Sequence, residues 1–325
     1  MEIRPLDLAD DQAMADAYSI ECAANQRVRP GWVPLSQEAR ILGWRADDGW
    51  SNHLVGAWDG TTLLGFAAGM NAADTPDTTW MFAWVSPERQ RAGIGTALVR
   101  AAEDASRPST TRFVSSAYRL AAADLHALVR GFLGPLGYTL ATTETVEEMD
   151  LRTTELPEPH GVDGYRVTTH VNGVPERFRK QVGRIKGLVD AEAPNGELGW
   201  AETPVTPAEY SSEIDLWVAQ GHTVFESIAV EPQGNVAAWT CLLAAADDTR
   251  PSQVEGTFVV PTHRGQGLGQ AVKLASLTRA RQLRHVRKVR TSSDDENLWM
   301  RSINTKLGFL PVETEIVMRK ERFSY

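Results

Sequence analysis

"HRGQGLGQAVK", from His263 to Lys273, places three glycines in alternation directly before a run that we predict to be helical. The first backbone N–H groups of a helix have no partner within it, so a helix start is a favourable place for an anion. Glycine also lets those N–H groups approach an anion without a clash from Cβ. The stretch therefore indicates a phosphate site, although a tight strand-to-helix connection has a similar sequence.

The same pattern occurs earlier in the chain, in "RQRAGIGTALV" from Arg89 to Val99. A constant spacing of 174 residues relates five pairs of positions: Val85 and Val259, Pro87 and Pro261, Gln90 and Arg264, Gly93 and Gly267, and Gly95 and Gly269. The motifs "PLGY", ending at Tyr138, and "KLGF", ending at Phe309, follow in the same order. Two motifs that recur in one order indicate two copies of one domain.

Each half of the chain has the same predicted order of elements. Strand-length apolar runs, joined by turns such as Asp59-Gly60, predict antiparallel hairpins before the glycine turn, and a helical run follows it. We predict an α/β fold of the α+β mixed-sheet type, with a closing strand at the end of each half. The stretch Arg152–Gly164, rich in proline and glycine, is the predicted linker. The predicted domains are residues 1–153 and 163–325.

The composition narrows the class of partner. A net charge of −9 disfavours nucleic acid, because a phosphate backbone attracts a basic surface. Cys22 and Cys241 lack the spacing of a metal or redox site, so we expect no metal. No apolar run approaches bilayer length, and the first residues lack a signal-peptide pattern. We therefore expect a cytoplasmic protein without a membrane partner.

Two common phosphate-binding motifs do not fit the glycine turns. The P-loop requires G-x-x-x-x-G-K-[ST], which neither turn contains. The dinucleotide-binding fingerprint requires G-x-G-x-x-G at the start of a βαβ unit, and neither turn opens its predicted domain in that way. The glycines alone therefore do not identify the ligand.

The longer pattern around both turns is more specific. Both copies read V-x-P-x-x-[QR]-x-x-G-x-G between a predicted strand and a predicted helix. This pattern resembles the acetyl-CoA-binding motif of the GCN5-related N-acetyltransferases (GNAT), and the later "LGY" and "LGF" match the same family. The resemblance covers both halves, so the chain is similar to the tandem type that includes mycothiol synthase. It implies two tandem GNAT domains and acetyl transfer from acetyl-CoA to a small-molecule amine.

The resemblance also implies which residues bind acetyl-CoA. Main-chain groups at the strand ends would hold the pantetheine arm, and these belong to Phe258, Val259, Val260, Trp84 and Val85. The turns would hold the pyrophosphate through two sets of residues: Arg264, Gly265, Gln266, Gly267, Leu268 and Gly269, and Gln90, Arg91, Ala92, Gly93, Ile94 and Gly95. Asn297 matches an Asn that contacts the pantetheine chain in relatives.

Three catalytic candidates follow from the same resemblance. Glu255 is the first candidate for the base, because it lies four residues before Val259 and should share its face of the strand. Glu226, on a neighbouring strand, is the second candidate. Asn304 occupies the position of a Tyr that often protonates the leaving thiolate in the family, and this departure puts that acid role in doubt.

The first half has different residues at these positions. Met81, His126 and Leu133 stand where the second half has Glu255, Asn297 and Asn304. We therefore predict a catalytic second domain and a non-catalytic first domain, which either binds acetyl-CoA or only shapes the substrate cleft. A non-catalytic acyl-CoA sensor and an acetyltransferase that acts on protein amines are the alternatives.

Overall fold

The computed structural model describes residues 1–29, 31–46, 50–72, 75–120, 129–159 and 161–322. The chain divides into two compact units, which are Met1–Thr143 with Thr314–Tyr325 and Glu144–Glu313. Most of the helix predicted over residues 121–134, including His126, lies outside the described residues.

The first unit contains strands and helices from both ends of the chain. They are β1 (Glu2–Pro5), α1 (Asp11–Val28), α2 (Gln37–Arg45), β2 (Trp50–Asp59), β3 (Thr62–Ala72), β4 (Thr78–Val85), α3 (Ile94–Asp104), β5 (Arg112–Leu120) and most of β12 (Leu310–Glu321). The strands lie in the order β1-β2-β3-β4-β5-β12. Pairing is antiparallel from β1 to β4 and parallel between β4 and β5.

The second unit repeats this arrangement. Its elements are the second half of β6 (Thr139–Asp150), β7 (Arg166–Val171), α4 (Glu176–Glu192), α5 (Pro207–Ala219), β8 (Thr223–Val230), β9 (Val236–Ala244), β10 (Ser252–Val259), α6 (Leu268–Ala280), β11 (Lys288–Asp294) and α7 (Leu298–Leu307). The strands lie in the order β6-β11-β10-β9-β8-β7. Pairing is antiparallel from β7 to β10 and between β11 and β6, and parallel between β10 and β11.

Local sequence signals begin several of these elements. The Asp10 side chain accepts hydrogen bonds from the first turn of α1, which satisfies otherwise free N–H groups. Thr206 and Glu209 form a reciprocal capping box at the start of α5, with Pro207 as its first residue. The predicted turn at Asp59-Gly60 joins β2 to β3, with Gly60 at a φ of +60°.

Helices cover both faces of the sheet in each unit. Leu98 of α3 packs on one face of the first unit, while Met14 of α1 and Trp44 of α2 pack on the other. In the second unit, Leu274 of α6 packs on one face and Phe178 of α4 on the other, together with α5. Successive strand residues alternate between these faces, so the pairing register decides which helices a strand residue meets.

The last strand of each half of the sequence lies partly in the compact unit formed by the other half. β6 follows the first half of the chain, but from Glu144 to Asp150 it pairs with β11 in the second unit. The end of β12 belongs to the first unit, where Lys320 Nζ pairs with Glu103 at 2.6 Å. The units therefore differ from the predicted division at residues 1–153 and 163–325. An alternating apolar pattern predicts a strand but does not determine which other strand it pairs with.

Candidate functional site

β4 and β10 each diverge from the neighbouring parallel strand before they end. β10 pairs with β11 only at Ser252 and Gln253, yet continues to Val259. β4 pairs with β5 only over Thr78–Trp80 and likewise continues beyond it. Past the pairs described, the main-chain groups on that side of each strand have no ladder partner. Each unit therefore has a cleft in which an extended ligand can form main-chain hydrogen bonds.

The glycine turn of the second unit has the geometry of an anion site. Gly265 and Gly267 lie in the left-handed region, at φ of +79° and +82°. Gly267 is the N-cap of α6, and no side chain caps that helix start. A Cβ added at either glycine would meet no atom within 4 Å, so the turn faces open space. Free N–H groups at the positive end of a helix dipole favour a phosphate there.

The turn of the first unit keeps this backbone conformation without all of its glycines. Gly93 has the same φ, +82°, as its counterpart Gly267. Arg91, which corresponds to Gly265, has a φ of +68°. A side chain in the left-handed region costs about 1–2 kcal/mol. The first unit therefore maintains the anion-binding shape at the expense of local strain, which is typical of a functional turn.

Gln90 and Arg264 brace the two turns in the same way. Gln90 Nε2 donates to the carbonyl of Val85 at 3.1 Å, and Arg264 Nε donates to the carbonyl of Val259 at 3.1 Å. Arg264 also pairs with Glu192 at 2.5 Å. The guanidinium charge of Arg264, a residue that the family resemblance assigns to the pyrophosphate site, is therefore partly balanced by a carboxylate within the unit.

The other predicted turn residues divide into exposed and packed positions. Ala92 and Gln266 are exposed, while Ile94 and Leu268 are buried and anchor the helix starts. Each remaining glycine lies against a side chain: an added Cβ would come within 3.2 Å of Phe132 at Gly95 and within 3.2 Å of Ile303 at Gly269. Ile94 and Leu268 can therefore contact a phosphate only through their main chain.

Glu255 lies in a β-bulge of β10. Val254 pairs with Leu242 and Gly256 with Cys241, so one extra residue of β10 stands between adjacent partners on β9. The bulge breaks the two-residue alternation, and the expectation that Glu255 shares the face of Val259 is wrong. Val259 packs on the α6 face with Leu268 and Val272, whereas Glu255 interacts electrostatically with Glu213 of α5 and Lys186 of α4.

The surroundings of Glu255 suit a group that accepts a proton near neutral pH. The residue as a whole is exposed, but the protein around it desolvates the carboxylate and raises its pKa to about 7. Glu213 raises this pKa further and Lys186 opposes the rise. A base is most effective when its pKa lies near the working pH.

Gly256 allows Trp239 to pack against the bulge. An added Cβ would lie 2.9 Å from Cζ3 and 3.2 Å from Cη2 of Trp239. We expect Gly256→Ala to lower the free energy of unfolding by about 1–3 kcal/mol, the usual effect of overpacking, as measured by urea denaturation. Gly161→Ala is the matched control, because a Cβ there meets no atom within 4 Å. Equal stability of the two variants would contradict a tight fit at Gly256.

Glu226, the second candidate for the base, is fully buried. Its Oε2 accepts a hydrogen bond from the Tyr210 hydroxyl, and its Oε1 accepts one from Trp239 Nε1 at 2.8 Å. Burial raises the pKa of Glu226. Both oxygens are thus engaged by side chains of the same unit, which does not favour a contact with a substrate.

Asn304 is also fully buried. Its Nδ2 donates to Glu147 of β6, and its Oδ1 accepts a hydrogen bond from Lys273 of α6. Both ends of the amide are thus held by protein groups, which does not favour a contact with a leaving thiolate. Asn297 caps α7, with its Oδ1 accepting from the backbone of Met300 at 3.1 Å, and its amide nitrogen is not part of that cap.

Lys273 was not singled out from the sequence, although a lysine inside the apolar run "AVKLASL" was an available signal. Only 1% of its surface is exposed. Its Nζ contacts Thr291 Oγ1 at 3.2 Å and Met300 Sδ at 3.9 Å in addition to Asn304. Burial lowers the pKa of Lys273 to about 7, and Glu147 opposes that change.

This buried ammonium predicts a pH dependence of stability. Below pH 7 the folded and unfolded states both hold the Lys273 proton; between pH 7 and about 10 mainly the unfolded state holds it. The free energy of unfolding should therefore gain a rising component of up to about 1.4 kcal/mol per pH unit over that range. We expect Lys273→Met to lose this component in urea denaturation. The exposed-residue variant Lys180→Met should keep it, and a slope unchanged in Lys273→Met would contradict the assignment.

The first unit has no carboxylate on the strand that corresponds to β10. Met81, opposite Glu255 in the repeat, is buried on the α3 face and pairs regularly with Gly69. The other face of β4 carries stacked rings, with Trp80 and Phe82 centroids 6.4 Å apart and Phe82 and Trp84 centroids 5.9 Å apart. Leu133 is buried in the same core as Met81. β4 therefore carries aromatic rings on the face where β10 carries Glu255.

Two further properties concern only the described residues. In that part of the chain, no helix combines the length and apolar character needed to cross a membrane. The same residues include no cluster of three or more His, Cys, Asp or Glu side chains placed to hold a metal ion.

Comparisons with known proteins agree with this geometry. The model of the acetyltransferase (GNAT) family matches residues 15–132 and 193–309. A tandem GNAT protein from the clavulanic acid biosynthesis pathway, solved without AcCoA, is similar with a TM-score of 0.81 at 20% identity, covering 100% of this chain and 99% of its own. A GCN5-related N-acetyltransferase from Sphaerobacter thermophilus is similar with a TM-score of 0.68 at 20% identity, covering 98% and 95%. No curated protein sequence matches this chain.

The two matched regions cover more than half of the chain, and one lies in each compact unit. The diverging strands and uncapped glycine turns occur once in each of these units as well. The chain therefore belongs to the acetyltransferase (GNAT) family and contains two copies of its fold.

Proposed function

We propose that this protein transfers an acetyl group from acetyl-CoA directly to the primary amine of a small molecule, and that the second unit performs the transfer. The main support is Glu255, an exposed residue on the bulge of β10 whose carboxylate is desolvated by the surrounding protein, which raises its pKa to about 7. It lies on the strand whose end diverges from β11 and leads into the glycine turn. An antibiotic, an amino sugar or another amine metabolite is the expected class of acceptor.

Acetyl-CoA would bind along the cleft and the turn. The main-chain groups on the side of β10 that faces away from β9 suit the amides of the pantetheine arm near Phe258 and Val259, where the Val259 carbonyl already accepts a hydrogen bond from Arg264 Nε. The uncapped N–H groups after Gly267 suit the pyrophosphate. Hydrogen bonds to a charged group are stronger than neutral ones, so the turn would supply much of the affinity.

Proton transfer would be the role of Glu255. A primary amine with a pKa near 10 is mostly protonated at pH 7 and cannot attack until it loses that proton. Ionised Glu255 takes the proton, directly or through water, while the amine nitrogen bonds to the carbonyl carbon of the thioester. The carbon–sulfur bond then breaks, the thiolate leaves, and the nitrogen, now part of the amide, releases its second proton to solvent. A thiol is a good leaving group, since its pKa is near 8.5, so no dedicated acid is needed at Asn304.

The first unit would bind acyl-CoA without turnover. Its turn has the same backbone shape, retained through a strained Arg91, which supports binding. β4 carries Met81 at the position of Glu255 and has no side chain that could take a proton from an amine.

An amine panel tests this proposal. Purified protein is incubated with acetyl-CoA and individual small amines at pH 8, and released thiol is measured. Acceptor-dependent release supports the proposal. Binding of acetyl-CoA without release for any amine would instead indicate an acyl-CoA sensor, and release only with peptide amines would indicate a protein acetyltransferase.

A further inference from the structure

Lys186 of α4 is held in a cage of three aromatic rings. Its Nζ lies 5.0 Å from the ring centroid of Trp217, 5.8 Å from that of Trp239 and 5.9 Å from that of Tyr210. It also forms an ion pair with Glu213 of α5. An ammonium is attracted to the faces of aromatic rings within about 6 Å. The cage and the ion pair together fix this cation, of which only 12% of the side chain is exposed.

Lys186 interacts electrostatically with three carboxylates. Glu213 pairs with it, Glu226 accepts hydrogen bonds from Tyr210 and Trp239, and Glu255 lies on the bulge. Within the described residues, Glu255 is the member of this group without a hydrogen-bond or ion-pair partner. Cys241 and Tyr210 are buried titratable groups that face the cluster, and burial raises the pKa of each. Arg179 is a further cation there, with its guanidinium carbon 6.0 Å from the ring centroid of Tyr210.

Burial opposes the charge on Lys186, but Glu213, Cys241 and Glu226 favour it, and the pKa of Lys186 is raised. Lys186 therefore stays an ammonium throughout the pH range in which a carboxylate titrates. A neighbouring cation lowers the pKa of a carboxylate, and a neighbouring anion raises it. Lys186 and Glu213 should therefore shift the pKa of Glu255 in opposite directions.

We propose that Lys186 and Glu213 are positioning residues for acetyl transfer: the caged ammonium holds Glu213 in an ion pair, which leaves Glu255 as the unpaired carboxylate that exchanges its proton with the acceptor. Lys186 also limits the repulsion between Glu213 and Glu255. The proposal rests on the function proposed above, because it assigns the tuning of the base in that reaction.

The first unit contains a natural comparison. Arg40 of α2 pairs with Glu21 of α1 at 2.7 Å and lies 4.8 Å from the ring centroid of Trp44. The corresponding two helices of the first unit are thus also joined by an ion pair, but here the first helix carries the carboxylate and the second carries the cation. The neighbouring strand β4 has no carboxylate. An ion pair at this place can stabilise helix packing alone, so the test needs a measurement other than stability.

The titration of the Glu255 carboxyl carbon provides that measurement. It is followed by NMR in the full-length protein with labelled glutamate and assigned from the signal lost in Glu255→Gln. Lys186→Met removes a positive charge, which should move the Glu255 midpoint from about 7 to higher pH. Glu213→Gln removes a negative charge and should move it to lower pH. The double variant should lie between the two single variants.

Two controls separate electrostatics from folding. Lys186→Arg keeps the charge and should restore a titration close to that of the parent protein, even if its packing differs. Glu21→Gln removes an ion pair in the first unit and should leave the Glu255 midpoint unchanged. Shifts of Lys186→Met and Glu213→Gln in the same direction, or no shift in either, would overturn the proposal. Opposite shifts support it.

The NMR result does not require an acceptor, so it can fail or succeed apart from the proposed function. With an accepted amine, the acidic limb of the pH–rate profile should move in the same directions as the NMR midpoint. Opposite NMR shifts in a protein that acetylates no amine would contradict the proposed function while supporting the coupling of these three residues.

Discussion

Glu255→Gln should lower kcat/KM for an accepted amine by about 10²–10⁴-fold, the usual contribution of a general base. Gln has nearly the same shape as Glu but cannot take the proton of the attacking amine. In the parent protein, activity should rise with pH through about 7 as Glu255 ionises. In the variant this limb should disappear, while the rise caused by deprotonation of the amine itself should remain. Initial rates of thiol release across pH 5.5–9.5 provide the measurement, with the range chosen around both pKa values.

Two controls accompany this variant. Calorimetry with acetyl-CoA should give unchanged affinity, because Glu255 faces α4 and α5 and is not part of the turn. Glu202→Gln removes an exposed carboxylate outside the strands and should leave the rate unchanged. A limb near pH 7 that persists in Glu255→Gln would mean that another group accepts the proton.

The duplication was predictable because it depends on local chemistry. A strand, a glycine turn and a helix follow one another directly in sequence, and left-handed backbone at Gly93 and Gly267 is a requirement that glycine meets. The shared order of the motifs in both halves then predicts two copies of one domain. The family model, which matches both halves of the chain, confirms this prediction. The inequality of the copies at Met81 and Glu255 also followed from one alignment.

The surroundings of the candidate residues were not predictable in the same way. A bulge depends on how β10 pairs with β9, so its position cannot be taken from the alternation of β10 alone. Asn304 is engaged by Glu147, which comes from a strand 157 positions earlier in the chain. Glu226 is enclosed by Tyr210 and Trp239 from two other elements. Each of these contacts is long-range and depends on the tertiary fold.

The bulge determines which way the residue at this position points, and so separates Glu255 of the second unit from Met81 of the first. Without it, the residue at this position points to the core, as Met81 does on the α3 face. With it, Glu255 turns toward the helices that carry Lys186 and Glu213. A carboxylate on the regular strand would be buried without a partner, which is energetically unfavourable. The presence of Glu in place of Met and the presence of the bulge in β10 therefore depend on each other.

Gly267→Asp should lower the affinity of the second unit for acetyl-CoA by about 100-fold or more. The new carboxylate would occupy the open space in front of the turn and repel the pyrophosphate, and each lost hydrogen bond to a charged group is worth about 1.5–3 kcal/mol. Asp tolerates left-handed backbone better than most residues, so the helix start should persist. Calorimetry and thiol release should show loss of binding and activity together.

Gly93→Asp is the matched variant in the first unit, because Gly93 has the same φ and the same open surroundings. If both units bind, calorimetry of the parent protein should give two equivalents of acetyl-CoA, and each single variant should give one. Gly93→Asp should retain transferase activity, since β10 with Glu255 lies in the other unit. A single equivalent in the parent protein, lost only in Gly267→Asp, would show that the strained turn at Arg91 does not bind acyl-CoA. Two equivalents in Gly267→Asp would place the cofactor outside the glycine turn and overturn the site itself.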